Sequence, residues 1–467
     1  MVDMAMCDLD KRGGQIATFA SHTQWLILHR HPRAWRFRHT RPGNTPAPCR
    51  RPRSMPPAPV RQQSGIPDAA TRGAQRMTPT VRALPLAMAL LGASAITHAA
   101  PKLISYLPTW QSDEDRARAA EVLPQLDMGL YSFIAVQPDG TAFVPEESKA
   151  VAESWRKAFA NARKVNPKLG CQWAIGGWTL SRNIAKVAQT EATRNKLAAT
   201  SVAIMRDYQC QGLDLDWEHP VTGGDYAADA SEADRDNYIK LLQALRTALD
   251  AQAKKDKATY VLTAAIPNTA GGWSISGYDL PRAAELLDWV NLMSYDFYGG
   301  WSGHAGLHAT LYPTPGEPDA AILNGDGGVK HFLSKGFKPS QLVLGVPFYA
   351  RGQGNVEPGP NNDGLAQPSK GPGLTKYPEA GTAQYYLAKK DVIGQPGWKS
   401  FRSKEAGDAP YLYNAELKEL VSYDDPQSLK VKVDYVKANK LGGVMIWELT
   451  QDDAEHTLFK ALKTNLK

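Results

Sequence analysis

The chain has 467 residues, 43% hydrophobic and 22% charged, with 39 Gly, 33 Pro and 12 Trp, a composition that excludes collagen, coiled coil and wholesale disorder and leaves material for a large core. The net charge of +7 is uneven: residues 1–76 set Lys11 and twelve Arg against Asp3, Asp8, Asp10 and Asp68, a net of +9, so the remainder is mildly acidic. The basic character belongs to the leading segment, and the rest carries no electrostatic footprint for nucleic acid.

From Met77 the chain reads MTPTVRALPLAMALLGASAITHAA. Arg82 gives a short basic region, Ala83–Ile96 an apolar run too short to span a bilayer, and Thr97 to Ala100 a small-residue cleavage site. Residues 77–100 therefore read as a secretory signal peptide. Residues 1–76 read as a disordered extension or as sequence upstream of the true initiator, Met77. The expected product is secreted, extracellular or periplasmic on the way, with no membrane attachment after cleavage.

Residues 101–467 alternate short apolar runs with stretches of helical period, the pattern of βα units around a parallel sheet. Eight runs read as strands: Leu103–Leu107, Leu130–Val136, Gly170–Ile175, Gly212–Trp217, Tyr260–Ile266, Trp289–Met293, Gln341–Val346 and Gly442–Trp447. Helical segments between them include Glu146–Lys164, Arg194–Tyr208, Ser231–Ala251, Leu280–Leu287 and Leu429–Ala438. No glycine-rich phosphate turn follows the first strand, so an α/β fold of the closed (β/α)8 TIM-barrel type is expected rather than an open doubly wound sheet. The Gly- and Pro-rich interval after the seventh strand predicts a small α+β insertion over 352–421, with antiparallel pieces at Tyr411–Tyr413 and Leu420–Tyr423. The barrel is then expected over 101–351 and 422–467. Cys171 and Cys210 both begin strand-like runs, and either a bridge or two buried thiols satisfies them. No Cys/His spacing points to a metal.

The fourth strand carries the chemistry. In Gly212-Leu213-Asp214-Leu215-Asp216-Trp217-Glu218-His219-Pro220, three carboxylates at i, i+2 and i+4 alternate with Leu213, Leu215 and Trp217, so a strand sends the acids to one face and the apolar set to the other. In a barrel those faces are the interior and the helix layer. Buried carboxylates persist only if protonated, paired or used. Asp214 and Asp216 are close enough to share a proton directly or through a polar neighbour. Glu218, nearest the mouth, suits a general acid kept protonated by crowded negative charge and low dielectric. Trp217 is expected in the core, and His219 reads as a hydrogen-bonded structural residue.

This ladder resembles the D-G-x-D-x-D-x-E signature of family-18 glycoside hydrolases, the chitinase family, with Gln211 at the first acid position. Ala174-Ile175-Gly176-Gly177-Trp178 resembles its S-x-G-G motif with Ala174 for Ser, Met293-Ser294-Tyr295-Asp296 its M-x-Y-D, and Gly442–Glu448 its eighth-strand segment; Gly345-Val346-Pro347-Phe348-Tyr349 is similar to its seventh strand. The resemblance implies a chitinase hydrolysing β-1,4-linked N-acetylglucosamine with retention, the substrate's own 2-acetamido group attacking in place of a second carboxylate. It implies Glu218, Asp216, Asp214 and Tyr295 as catalytic residues. Asp296, Trp447, Trp178, Met293 and Tyr349 would bind chitin or its oligomers. No cofactor and no metal are implied, and a monomer is expected. Trp110, Trp273 and Trp301 read either as subsites or as caps of the barrel. Competing readings are an endo-β-N-acetylglucosaminidase acting on glycoprotein glycans and a non-catalytic chitin-binding lectin.

Overall fold

The computed structural model describes residues 100–467; the upstream segment 1–76 and all but the last residue of the expected signal 77–100 lie outside the described residues. Eight parallel strands follow in order: β1 (Lys102–Pro108), β2 (Met128–Val136), β3 (Gly170–Gly176), β4 (Gly212–Asp216), β5 (Val261–Pro267), β6 (Trp289–Met293), β7 (Leu342–Pro347) and β8 (Gly443–Trp447). Each pairs with its sequence neighbour, and β1 pairs with β8 through Lys102 opposite Gly443 and Ile104 opposite Met445, so the sheet closes on itself. The expected barrel is therefore present, with strand ends displaced by a residue or two.

Alternation along the strands builds two apolar layers. Leu103, Leu213, Leu215 and Trp217 face outward into a cluster with helix residues such as Trp155 and Phe159. Ile104, Tyr106, Leu130, Val343 and Met445 face inward. The helix Glu146–Val165 presents Trp155 and Phe159, four apart and fully buried, to the sheet, and Trp155 Nε1 donates to the Pro108 carbonyl oxygen at 2.9 Å.

The expected strand Gly212–Trp217 ends one residue early, and the reason is chemical. The carbonyl oxygen of Trp217 accepts from the Tyr278 hydroxyl and the Glu218 N–H donates to Ser181 Oγ. Both leave the ladder for side chains.

Cys171 and Cys210 are disulfide-bonded, which settles the choice left open by the sequence. The bridge lies where β3 and β4 begin, at the opposite end of those strands from Glu218.

Between β7 and the helix Pro426–Ala438, the strands Thr382–Gln384, Tyr349–Gln353, Glu419–Ser422, Ala409–Asn414 and Lys399–Ser403 form, in that spatial order, an antiparallel sheet, with the helix Tyr385–Asp391 beside it. Its first strand begins at Tyr349, almost without a break from β7. The chain returns to the barrel through Asp425, whose carboxylate accepts from the N–H groups of Gln427 and Ser428 while Ser428 Oγ accepts from Asp425 N–H, a capping box before Pro426.

Candidate active site

The three acids of β4 occupy three different environments. Asp214 is fully buried. Its Oδ2 accepts from the Tyr106 hydroxyl at 2.7 Å, and its Oδ1 from the Thr263 hydroxyl at 2.5 Å and Asn291 Nδ2 at 3.1 Å. Donors from β1, β5 and β6 thus converge on one carboxylate. Gln172 on β3 donates to the Thr263 hydroxyl and the Trp289 indole donates to Asn291 Oδ1, fixing both partners. Burial raises the Asp214 carboxyl to about 6 in spite of these hydrogen bonds, which favour the charge.

The expected proton sharing between Asp214 and Asp216 is not made. Asp214 spends its oxygens on the three donors, and Oδ1 of Asp216 is buried with no hydrogen-bond partner. Burial first, then the charges of Glu218 and Asp214, push the Asp216 carboxyl well above the usual carboxylate range. Gln211, at the deep end, donates to the Gln209 carbonyl and accepts from Cys171 N–H. It braces the strand start and hydrogen-bonds neither aspartate.

Glu218 lies two residues past the strand. Ser181 fixes this end, since its hydroxyl accepts from Glu218 N–H at 3.1 Å and faces the carbonyl oxygens of Gly177 and Asp216. Gly176, at φ 104°, lets β3 turn over β4 here; a Cβ at this position would stand 2.2 Å from the Asp216 carbonyl oxygen. Burial, reinforced by the negative charge of Asp296, raises the Glu218 carboxyl to about 8. His219 beside it is held neutral near pH 7, burial lowering it to about 4.

Across the interior, Tyr295 follows β6. Its hydroxyl donates only to Met445 Sδ, a weak acceptor at 3.9 Å, which leaves it available to a stronger one. Gly345 on β7 makes room for this ring, because a Cβ there would approach it to 2.9 Å. Asp296 accepts from the Tyr349 hydroxyl at 2.7 Å and from Arg351 Nε and Nη2 at 2.8 and 2.7 Å. Burial alone would raise the Asp296 carboxyl, but the Arg351 guanidinium outweighs it and holds the group ionised, below the usual range.

The aromatic residues form a line and a rim. Trp447, half-buried, stacks on Phe133 at 5.8 Å, and Phe133 stacks in turn on Trp110 at 6.0 Å. Trp178 and Trp273 both meet the His219 ring edge-on, and the Arg351 guanidinium lies over Trp301. Trp110, Trp178, Trp273 and Trp301 are each about half exposed or more, so none is a buried packing residue. Met293 is half-buried in the interior cluster that also holds Tyr295 and Tyr349.

Sequence reasoning missed Tyr106, Thr263, Asn291, Phe133 and Arg351. Thr263 and Asn291 are polar residues on inward positions of otherwise apolar strands, a signal of the same kind as the acid ladder. Arg351 sits at i+2 from Tyr349 on the first insertion strand, so the two-residue period carries both to Asp296.

With this geometry in place, likeness to known proteins is informative. The family model described as Glycosyl hydrolases family 18 matches residues 102–452. Chitinase A1 of Niallia circulans is 37% identical over 310 residues, 65% of this chain and 43% of that protein, so the chain spans less than half the length of that relative. Among solved structures, a chitinase of Bacillus thuringiensis superposes with a TM-score of 0.69 at 26% identity, covering 79% of this chain and 70% of that one. A doubly substituted family-18 chitinase of Cycas revoluta in complex with (GlcNAc)4 superposes at 0.66 with 25% identity, covering 78% of this chain and all of that one.

Proposed function

The chain belongs to glycosyl hydrolases family 18, and we propose that it is a chitinase that cleaves β-1,4 bonds of N-acetylglucosamine polymers with retention, using the 2-acetamido group of the substrate as nucleophile. The observation that carries this reading is the pair at the mouth of β4: Glu218 kept protonated by burial, and behind it Asp216 with a buried carboxylate oxygen that has no partner. A glycosidase of the two-carboxylate kind supplies its own nucleophile. Here the second carboxyl is held above its usual range, which suits it to receive an amide N–H rather than to attack.

In this mechanism Glu218 gives its proton to the glycosidic oxygen while the acetamido oxygen attacks the anomeric carbon and the sugar–oxygen bond breaks. The alcohol departs, leaving an oxazolinium-type intermediate. Glu218, now a carboxylate, takes a proton from water, and that water opens the ring with net retention. Asp216 accepts from the acetamido N–H and offsets its positive charge, with the nearby Asp214 setting the protonation of Asp216. Tyr295 exchanges its weak sulfur contact for the acetamido oxygen, and Asp296, fixed by Arg351 and Tyr349, orients that region. Trp447 floors the site for the cleaved sugar, and Trp178 stacks on the sugar beyond the bond.

The four exposed tryptophans favour an extended polymer over a compact glycan. A soluble monomer exported by removal of residues 77–100 completes the reading; among the described residues no helix is long and apolar enough to cross a membrane. The test is the product profile from a chitin hexamer with the wild type and Glu218→Gln. N-acetylated fragments that retain the β configuration, formed by the first and not by the second, are expected; equal turnover by Glu218→Gln removes the assignment.

A further inference from the structure

Stacked rings join Trp110, at the rim, to Trp447 on the floor of the site: near-parallel pairs run from Trp447 to Phe133 at 5.8 Å and from Phe133 to Trp110 at 6.0 Å. At those separations such rings are offset rather than piled, so the line steps outward. Phe133 covers one face of the Trp110 indole, and the residue is 54% exposed. An indole this open takes its position from the backbone that carries it, and that backbone is tied on both sides. Before Trp110, the N–H and the hydroxyl of Thr109 both donate to the Ser132 carbonyl oxygen, at 3.0 and 2.7 Å. After it, Arg116 Nη1 donates to the Gln111 carbonyl oxygen at 2.6 Å, and Gln111 Nε2 donates to Glu448 Oε1 at 3.2 Å.

Glu448 is an acid that the mechanism leaves unused. It is 1% exposed and directly follows Trp447. Its Oε2 accepts from Thr450 N–H at 2.8 Å, and the Thr450 hydroxyl lies 2.8 Å from both of its oxygens. The Thr450 carbonyl oxygen in turn accepts at 2.7 Å from Arg118 Nη2, on the helix Asp113–Ala120 that follows Gln111. The carboxyl group is thus fixed within its own segment and offers Gln111 a rigid acceptor.

We propose that Gln111 and Glu448 are positioning residues for Trp110: their hydrogen bond locks the loop after β1 to the segment after β8, and so presets the indole as a stacking platform for a further sugar of the chain that lies over Trp447. Each step of the ring line is close to the length of one sugar, so a chain with one unit over Trp447 brings its third to Trp110. A platform fixed before the sugar arrives spares the cost of ordering it on binding. This inference rests on the reading of the chain as a chitinase.

The test measures kcat and KM for a chitin hexamer and for nitrophenyl chitobioside, which is too short to bridge Trp447 and Trp110. Gln111→Leu is expected to lower kcat/KM on the hexamer by about 3- to 10-fold through KM, the size of ordering one side chain on binding, and to leave the chitobioside within about 1.5-fold. Gln111→Ala removes the same donor and should show the same split; it serves where Gln111→Leu does not fold. A double-mutant cycle with Trp110→Ala reads the role itself: the loss from Gln111→Leu on the hexamer should vanish in that background, because the glutamine acts through the indole. Equal losses on both substrates, no loss on the hexamer, or a fully additive loss in the Trp110→Ala background overturn the proposal. The premise is read separately: a hexamer that the wild type does not cleave removes the chitinase reading, whereas cleavage that neither Trp110→Ala nor Gln111→Leu slows rejects the platform alone.

Discussion

At the end of β4, Asp216 is buried and Glu218 partly so, with no Lys or Arg hydrogen-bonded to either among the described residues, whereas Asp296, after β6, takes two N–H groups from Arg351 and the hydroxyl of Tyr349. Burial acts on all three carboxyls in the same direction. Where no cation answers it, the carboxyl is pushed up; where an arginine answers it, the group stays charged. The two regions are also coupled, because the fixed negative charge of Asp296 is the second cause of the raised Glu218 carboxyl. The guanidinium that ionises one acid thereby helps to keep the other neutral.

The sharpest way to break this comparison is to remove the neutral acid. Glu218→Gln should lower cleavage of chitin oligomers by about 10³-fold, within the usual range for loss of a general acid, while binding persists; steady-state rates beside calorimetric titration with an oligomer check this. Asp216→Asn comes next. It leaves a neutral group of the same shape but removes the charge that offsets the acetamido nitrogen, and a loss of about 10²-fold in kcat with a smaller change in KM is expected.

The coupling itself is read from pH. The acid must be protonated to act, so activity falls as pH rises through the Glu218 value of about 8, and it falls again below the Asp214 value of about 6, where that carboxylate gains a proton. A bell for kcat/KM between those limits is expected. Asp296→Asn removes a like charge, which lowers the Glu218 value, so the basic limb should move to lower pH by up to about one unit. A limb that stays in place shows that Asp296 does not act on the acid.

Much of this was legible before any coordinates. The i, i+2, i+4 acids against Leu213, Leu215 and Trp217 specify which face of β4 points inward, and the inward placement of Asp214 and Asp216 agrees with it. The protonated Glu218 was legible too, from crowded acids in a low dielectric, but the hydrogen bonds that set the charge state of Asp214 were not. These come from Tyr106, Thr263 and Asn291, on three other strands and 49 to 108 residues away from Asp214. Arg351 reaches Asp296 only because the insertion sheet begins directly after β7. His219 is hydrogen-bonded, as its isolation in the sequence suggests, yet the identity of its partner, Tyr278, appears only in three dimensions.

The smallest effect on turnover is expected at the far end of the barrel. The Cys171–Cys210 bridge spans a sequence separation of 39 residues, and by the chain-entropy relation its loss costs about 4 kcal/mol. The Cys171→Ser/Cys210→Ser double variant should unfold at a clearly lower denaturant concentration while kcat and both pH limbs stay close to the wild type. A displaced limb would show that the base of the barrel, and not only the groups at its mouth, sets the charge of the acid.

The most direct test is the protonation state of Glu218 itself, read from the infrared difference between the wild type and Glu218→Gln as a function of pH. The carbonyl band of a neutral carboxylic acid should be present at pH 7 and disappear as pH passes about 8. A carboxylate signal already complete at pH 7, titrating in the ordinary glutamate range, would contradict the account.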